Sequence, residues 1–267
     1  MDGKHIVIQA PANSGFLYFN YKGTFSVVLL ALVDADYRFL VIDVGSYGSS
    51  SDGGIFSNSA LGKSLSDGTL NIPPPAELPG APEHGKVNHV IVADEVFPLK
   101  PYLLRPYPGR RLPSDMKIFN YRLSRACCVS ENAFGILSHR FRVFQRRLLV
   151  SPTVADSVIK ATCILCNYLR PSEQNLQDEL LEDVEESSGC PALVQPLHLQ
   201  GNRASIEAQN LRDTYRTLVS QCFAGQGTVI TIKPKILNCA NNVLEVCFSY
   251  PESFRNVECL NRLIDEE

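Results

Sequence analysis

No apolar run in this sequence approaches the ~20 residues that a membrane-spanning helix needs. The longest, Phe25–Val33, is already interrupted by Ser26. A secretory leader pattern is missing. Cysteines are odd in number: nine are scattered along the chain, with Cys127 and Cys128 adjacent, and they outline no disulfide framework. These absences lead to the expectation of a soluble chain in a reducing intracellular compartment, with no membrane partner. Cys163-x-x-Cys166 has zinc-like spacing but lacks a second such pair. Set among apolar neighbours, these two read as core cysteines. Internal repeats are not apparent.

Acidic residues are scarce in one long stretch. Between Leu99 and Arg147 there are 11 basic residues, opposed only by Asp115 and Glu131. Residues 1–170 hold 18 Lys and Arg against 13 Asp and Glu, whereas residues 171–267 hold 7 against 15. The overall charge of −3 therefore hides a basic body and an acidic tail. A basic strip of this density suits a polyanion such as DNA, and it also suits a plain solvated face.

The 267 residues allow one large domain, or a domain with an appendage. Lys4–Gln9, Gly23–Val33 and Tyr37–Val44 read as strands, the last two joined by a turn at Asp34-Ala35-Asp36. Gly45–Ser51 is rich in Gly and Ser, and Asp52 reads as the N-cap of a helix carrying Ile55, Phe56, Leu61 and Leu65. Val87–Ala93 is expected as a buried strand ending at Asp94. Prolines make residues 98–113 irregular. Helices are expected over Lys117–Phe144, Val154–Tyr168 and Ala204–Cys222, with an acidic linker at Glu173–Ser188. Strands, a helix, a further strand and then helices is an α/β order.

Three acids stand beside these apolar segments: Asp2 at the first strand, Asp94 after the fourth and Glu131 within a helix. Carboxylates brought together from separate elements can hold two divalent ions about 3.5–4 Å apart, and such a pair activates a nucleophile and stabilises a leaving oxygen. Each acid also has a bland explanation, as a strand end, a loop cap or a residue favouring the helix dipole.

The local wording is more specific. Asp2-Gly3-Lys4-His5-Ile6, followed by Pro11 and Asn20-Tyr21-Lys22-Gly23-Thr24-Phe25-Ser26, resembles the opening of the PIF/Harbinger transposase domain. So do Gly48-Ser49-Ser50-Ser51-Asp52 with Ile55-Phe56, and Ala93-Asp94-Glu95-Val96-Phe97-Pro98-Leu99. Phe119-Asn120, Ser124-Arg125-Ala126, Glu131-Asn132-Ala133-Phe134-Gly135 and Ile164-Leu165-Cys166-Asn167 continue the series in order. The resemblance spans about residues 2–170, with a fainter echo at Asn210-Leu211-Arg212-Asp213.

This resemblance implies a DDE-type endonuclease on an RNase H-like mixed sheet flanked by helices. Asp2, Asp94 and Glu131 become the catalytic, metal-binding triad for Mg²⁺ or Mn²⁺. DNA becomes the substrate, with Arg110, Arg111, Lys117, Arg122 and Arg125 as contacts. Asp52 matches a family box and is kept as a structural cap. The expected layout is a nuclease domain over 1–170, an acidic linker or loop over 171–203 and a helical, divergent tail over 204–267. The expected location is the nucleus, with cytoplasm as the alternative.

Several departures open a second reading. Cys127 and Cys128 stand where the family usually has basic residues, Cys166 replaces a His and Lys4 a Thr. The first strand reads as truncated and an upstream DNA-binding region as missing, so a separate DNA-binding protein is an expected partner. The alternative is a host-captured module with impaired catalysis that keeps the fold and binds DNA or protein.

Overall fold

The computed structural model describes residues 1–70, 72–77, 85–169 and 204–224. The linker expected at Glu173–Ser188 and the part of the expected tail beyond residue 224 lie outside them. Strands β1 (Asp2–Val7), β2 (Ser26–Val33) and β3 (Phe39–Tyr47) form an antiparallel sheet in the order β1-β2-β3. Every residue of β2 is buried. Its run Ser-Val-Val-Leu-Leu-Ala-Leu-Val does not alternate, because a strand covered on both faces needs apolar residues on both. Val27, Leu29, Ala31 and Val33 enter one core, while Val28, Leu30 and Leu32 enter another across the sheet.

The turn between β2 and β3 is built by Asp34, whose Oδ1 accepts the backbone N–H of Asp36 at 2.9 Å and of Arg38 at 2.8 Å. That is the turn chemistry expected of this residue. The strand expected to end at Val44 needs correction, because β3 runs on to Tyr47. Val28 pairs with Ser46 and Leu29 with Val44, leaving Gly45 as an extra residue with φ +111°. The glycine marks a bulge inside the strand, not its end.

Helices α1 (Asp52–Asn58) and α2 (Ala60–Ser66) cover one face of the sheet through Ile55, Phe56, Leu61 and Leu65. The single helical period read there is two helices. Ser59 breaks it, ending α1 and capping α2 through a hydrogen bond from the Gly62 N–H at 3.0 Å.

The strand expected over Val87–Ala93 is likewise divided. Within β4 (Ala76–Glu77) and β5 (Lys86–Val87), Ala76 pairs antiparallel with Val87. Then β6 (Ile91–Val92) runs parallel to β7 (Leu103–Leu104), which lies within the proline-rich stretch. The Met1 nitrogen donates to the Val92 carbonyl at 2.8 Å, which ties the start of β1 to β6. Farther along β1, the Leu148 N–H donates to Val7 O at 2.9 Å and the Gln9 N–H to Leu148 O at 2.8 Å.

The long helix α3 (Ser114–Arg140) serves two cores. Ala133, Phe134 and Leu137 pack on the sheet beside α4 (Pro152–Leu169), which contributes Ala155, Ile159, Cys163 and Cys166. Both cysteines of the C-x-x-C pair are thus buried core residues, and burial pushes the Cys163 thiol up. Nearer its start, α3 places Phe119, Leu123 and Ala126 against Val92, Leu104 and Tyr107. That third core is closed by Ala208, Tyr215 and Leu218 of α5 (Ile206–Ala224). Among the described residues no helix is long and apolar enough to cross a membrane.

Candidate active site

Asp2 is the first residue of β1, in register with Ala31 of β2. Its Oδ1 accepts the N–H of Gly3 at 2.7 Å. Asp94 lies two residues past β6, and its Oδ1 accepts the Val96 N–H at 3.0 Å, a short turn that fixes the carboxyl as the chain leaves the strand. Glu131 sits on α3 one residue beyond the buried Ser130 and faces solvent.

Asp52 is a fourth carboxylate at this centre. The helix cap is Ser51, whose side chain accepts the Gly54 N–H at 3.3 Å. Asp52 is therefore not the N-cap expected from the sequence. Its carboxyl instead lies over Gly3, so close that a Cβ there would overlap the Asp52 Oδ1 and Cγ. Gly3 is the residue that lets this acid approach β1.

Electrostatics tie the four acids together. Burial, followed by the charges of Asp2 and Asp94, pushes the Asp52 acid up to about 7, against the pull of Lys22. Burial and the charge of Asp2 raise Asp94 to about 6, while the Val96 N–H works in the opposite direction. Asp2 is itself raised by burial, opposed by the Gly3 N–H and then by the Met1 ammonium, Lys4 and Lys22. Glu131 is raised by desolvation of its carboxyl and then by Asp2. Asp2 is thus the hub whose charge the other three feel. Such mutual repulsion in a low-dielectric setting is characteristic of functional carboxylate groups and of sites that take cations.

By donor chemistry the group fits a hard divalent cation: all its donors are carboxylate oxygens, and their repulsion is incompletely offset by lysines. Among the described residues, however, no group of three or more His, Cys, Asp or Glu side chains stands close enough to hold a metal ion.

The residues expected to touch DNA lie just before α3 and along it. Arg110 and Arg111 are exposed just before α3, and Lys117 and Arg125 are exposed on it, while Arg122 is half-buried. Lys117 precedes Glu131 by about 21 Å along a helix axis, and Arg125 is rotated about 120° from it. The cations acting on the acids are the Met1 ammonium, Lys4 and Lys22. Cys127 sits close enough to feel Asp94 and Asp2. Burial, and then those charges among others, push its thiol up to about 12, so a neutral group stands there.

The domain is mixed α/β, with its four acids on a strand, a strand end and two helices. Residues 1–167 match the family described as DDE superfamily endonuclease, and the chain belongs to that family. It is also similar to "Protein ALP1-like" of Arabidopsis thaliana, with 31% identity over 187 residues, covering 68% of this chain and 44% of that protein. The chain therefore spans less than half the length of this relative. No solved structure matches.

Proposed function

We propose that this protein is a divalent-metal-dependent DNA endonuclease of Harbinger-transposase type, with Asp2, Asp94 and Glu131 as its catalytic, metal-binding residues. The observation that carries this reading is the electrostatic coupling of Asp2 to both Asp94 and Glu131, which lie on separate elements. Bound Mg²⁺ or Mn²⁺ would supply the Lewis acidity that activates water and stabilises the leaving oxygen. The chain's own acids provide the oxygen donors. Lys22 and Lys4 offset part of the negative field that a DNA phosphate would otherwise meet.

The proposed fold is RNase H-like. Support comes from the Met1–Val92 hydrogen bond and the parallel pairing of β6 with β7, which together extend the sheet toward the order β3-β2-β1-β6-β7. The proposed layout keeps the nuclease domain over residues 1–170, the linker over 171–203 and the tail over 204–267. A nuclear location and a separate DNA-binding protein partner belong to the same proposal.

One observation favours the second reading, a module with impaired cleavage that binds DNA or protein. A neutral thiol, Cys127, lies beside Asp94 and Asp2, and it cannot pair with phosphate as an arginine does.

The test is nicking of supercoiled plasmid with Mn²⁺ by the parent, Asp94→Ala and Glu131→Ala. The nuclease reading expects nicking by the parent alone, together with a Mn²⁺-induced rise in melting temperature that Asp94→Ala loses. DNA binding without metal-dependent nicking leaves the binding module in its place.

A further inference from the structure

The segment between β1 and β2 carries a turn built from within. Asn20 is only 3% exposed. Its Oδ1 accepts the N–H groups of Lys22 at 3.0 Å and Thr24 at 3.1 Å. Its Nδ2 donates to Thr24 Oγ1 at 3.0 Å and to Ser26 Oγ at 2.9 Å. The backbone closes the same turn, with Asn20 N–H to Thr24 O at 2.8 Å and Gly23 N–H to Asn20 O at 3.0 Å. Gly23 takes a φ of +75°, which the tight path requires. The tip of this turn is Tyr21 and Lys22, so their positions do not depend on anything those two side chains touch.

Tyr21 is 82% exposed. Its ring meets the His5 ring in a T-shaped contact, centroids 5.5 Å apart, and the Lys22 Nζ lies 5.4 Å from its centre. His5 is steadied in turn by Ser26, with Nδ1 and Oγ 2.9 Å apart. A single exposed tyrosine carries little meaning alone. Its position gives it meaning here, because its contact His5 lies on the same face of β1 as Gly3, two residues away, and the Asp52 carboxyl covers Gly3. The tip therefore stands about 7 Å along the strand from the place where that carboxyl sits. It offers an open aromatic ring and a cation side by side on a preorganised support.

We propose that Tyr21 and Lys22 form a clamp for one unpaired DNA nucleotide beside the carboxylate centre, the ring stacking on the base and the ammonium group meeting its phosphate. The proposal rests on the nuclease reading for its substrate. A paired base inside a duplex has both faces occupied by its neighbours, so a lone ring at the tip selects a frayed or single-stranded segment. A polyanion brought next to four acids also needs local cations, and Lys22 and Lys4 stand there with the Met1 ammonium.

The test measures binding of fluorescent oligothymidylate and of a blunt duplex of equal length to the full chain, in EDTA so that no cleavage occurs. Tyr21→Ala is expected to weaken single-strand binding by about five- to a hundredfold, as loss of one base–aromatic stack does, and to change duplex binding by less than about twofold. Tyr21→Phe keeps the ring and is expected to bind like the parent. Lys22→Ala is expected to weaken binding and to flatten its salt dependence. An oligomer with abasic sites should bind the parent as weakly as oligothymidylate binds Tyr21→Ala.

The proposal is overturned by a parent that does not bind oligothymidylate, by unchanged affinity in Tyr21→Ala, by an equal loss in Tyr21→Phe, or by an equal loss on duplex. Because Tyr21 is exposed, unaltered melting temperatures should show that all the variants fold. Plasmid nicking separates the two ideas. Nicking together with normal Tyr21→Ala binding sinks only the clamp. Tyr21-dependent single-strand binding without nicking sinks only the nuclease.

Discussion

Asp52 is raised further than Asp94, and the consequence is a pH dependence of stability. An aspartate in an unfolded chain ionises near 3.9. In the folded protein Asp52 is pushed up to about 7 and Asp94 to about 6. Folding therefore favours their neutral forms. The stability this represents is fully present below about pH 4 and is lost as pH rises toward 7. Asp52→Asn removes the charge and keeps the shape. The variant should match its parent near pH 4 and be more stable at pH 8 by about 1–2 kcal/mol, a value reduced from the full shift because the carboxyl is only partly buried. Urea unfolding at the two pH values checks this, and equal differences at both would remove the repulsion from the account. The sequence held a clue to this residue, an acid straight after a Gly/Ser-rich loop and just before Ile55-Phe56. A cap explains that pattern equally well. Only the approach of the Asp52 carboxyl to Gly3 tells the two roles apart.

At the scale of elements, Asp94 depends on how its loop is held. Arg105, just past β7, donates from Nη1 to Glu95 O at 3.3 Å and to Phe97 O at 3.2 Å. One side chain thus braces the segment that carries the second acid. Arg105→Ala leaves those carbonyls without that donor and should cost about 1–3 kcal/mol. It should also speed amide exchange at Val96, whose N–H binds Asp94. Unchanged protection at Val96 would show that the loop is held by other means. Much of this framework was legible in advance. The apolar run of β2, the Asp34 turn, the prolines before α3 and the periodicity of α4 and α5 each had one natural reading. Other features were hidden for physical reasons. Gly45 looks the same in a loop and in a bulge, and the difference lies in its partners on β2. Ser59 interrupts a helical period that a count of apolar spacings passes over. The pair β6 and β7 is too short to show any period, and its pairing partners are distant in sequence. Among the acids, Asp2 and Asp94 were found where expected, on and just after strands. Their mutual field is a property of the assembled chain alone.

For the molecule as a whole, the family match ends at residue 167 but the packing does not. Helix α5 closes the core that holds β6 and β7, and its Tyr215 hydroxyl donates to Asn88 O at 2.8 Å. Arg212 stacks 3.9 Å from the centre of the Tyr107 ring, and the Tyr107 hydroxyl donates to Asp213. Tyr215 is fully buried. Tyr215→Ala should therefore destabilise the protein by about 3–5 kcal/mol, the range for emptying a large aromatic site, with a lower urea midpoint as the readout. A loss under 1 kcal/mol would mean that α5 is an accessory. If α5 is integral, the order in which the chain is made has a consequence. Phe119 and Tyr107 leave the ribosome long before Leu218, and at typical synthesis rates roughly 5–20 s pass before their cover arrives. During that interval the apolar side of α3 is open to water, and a chaperone that shields nascent apolar surface would find it there.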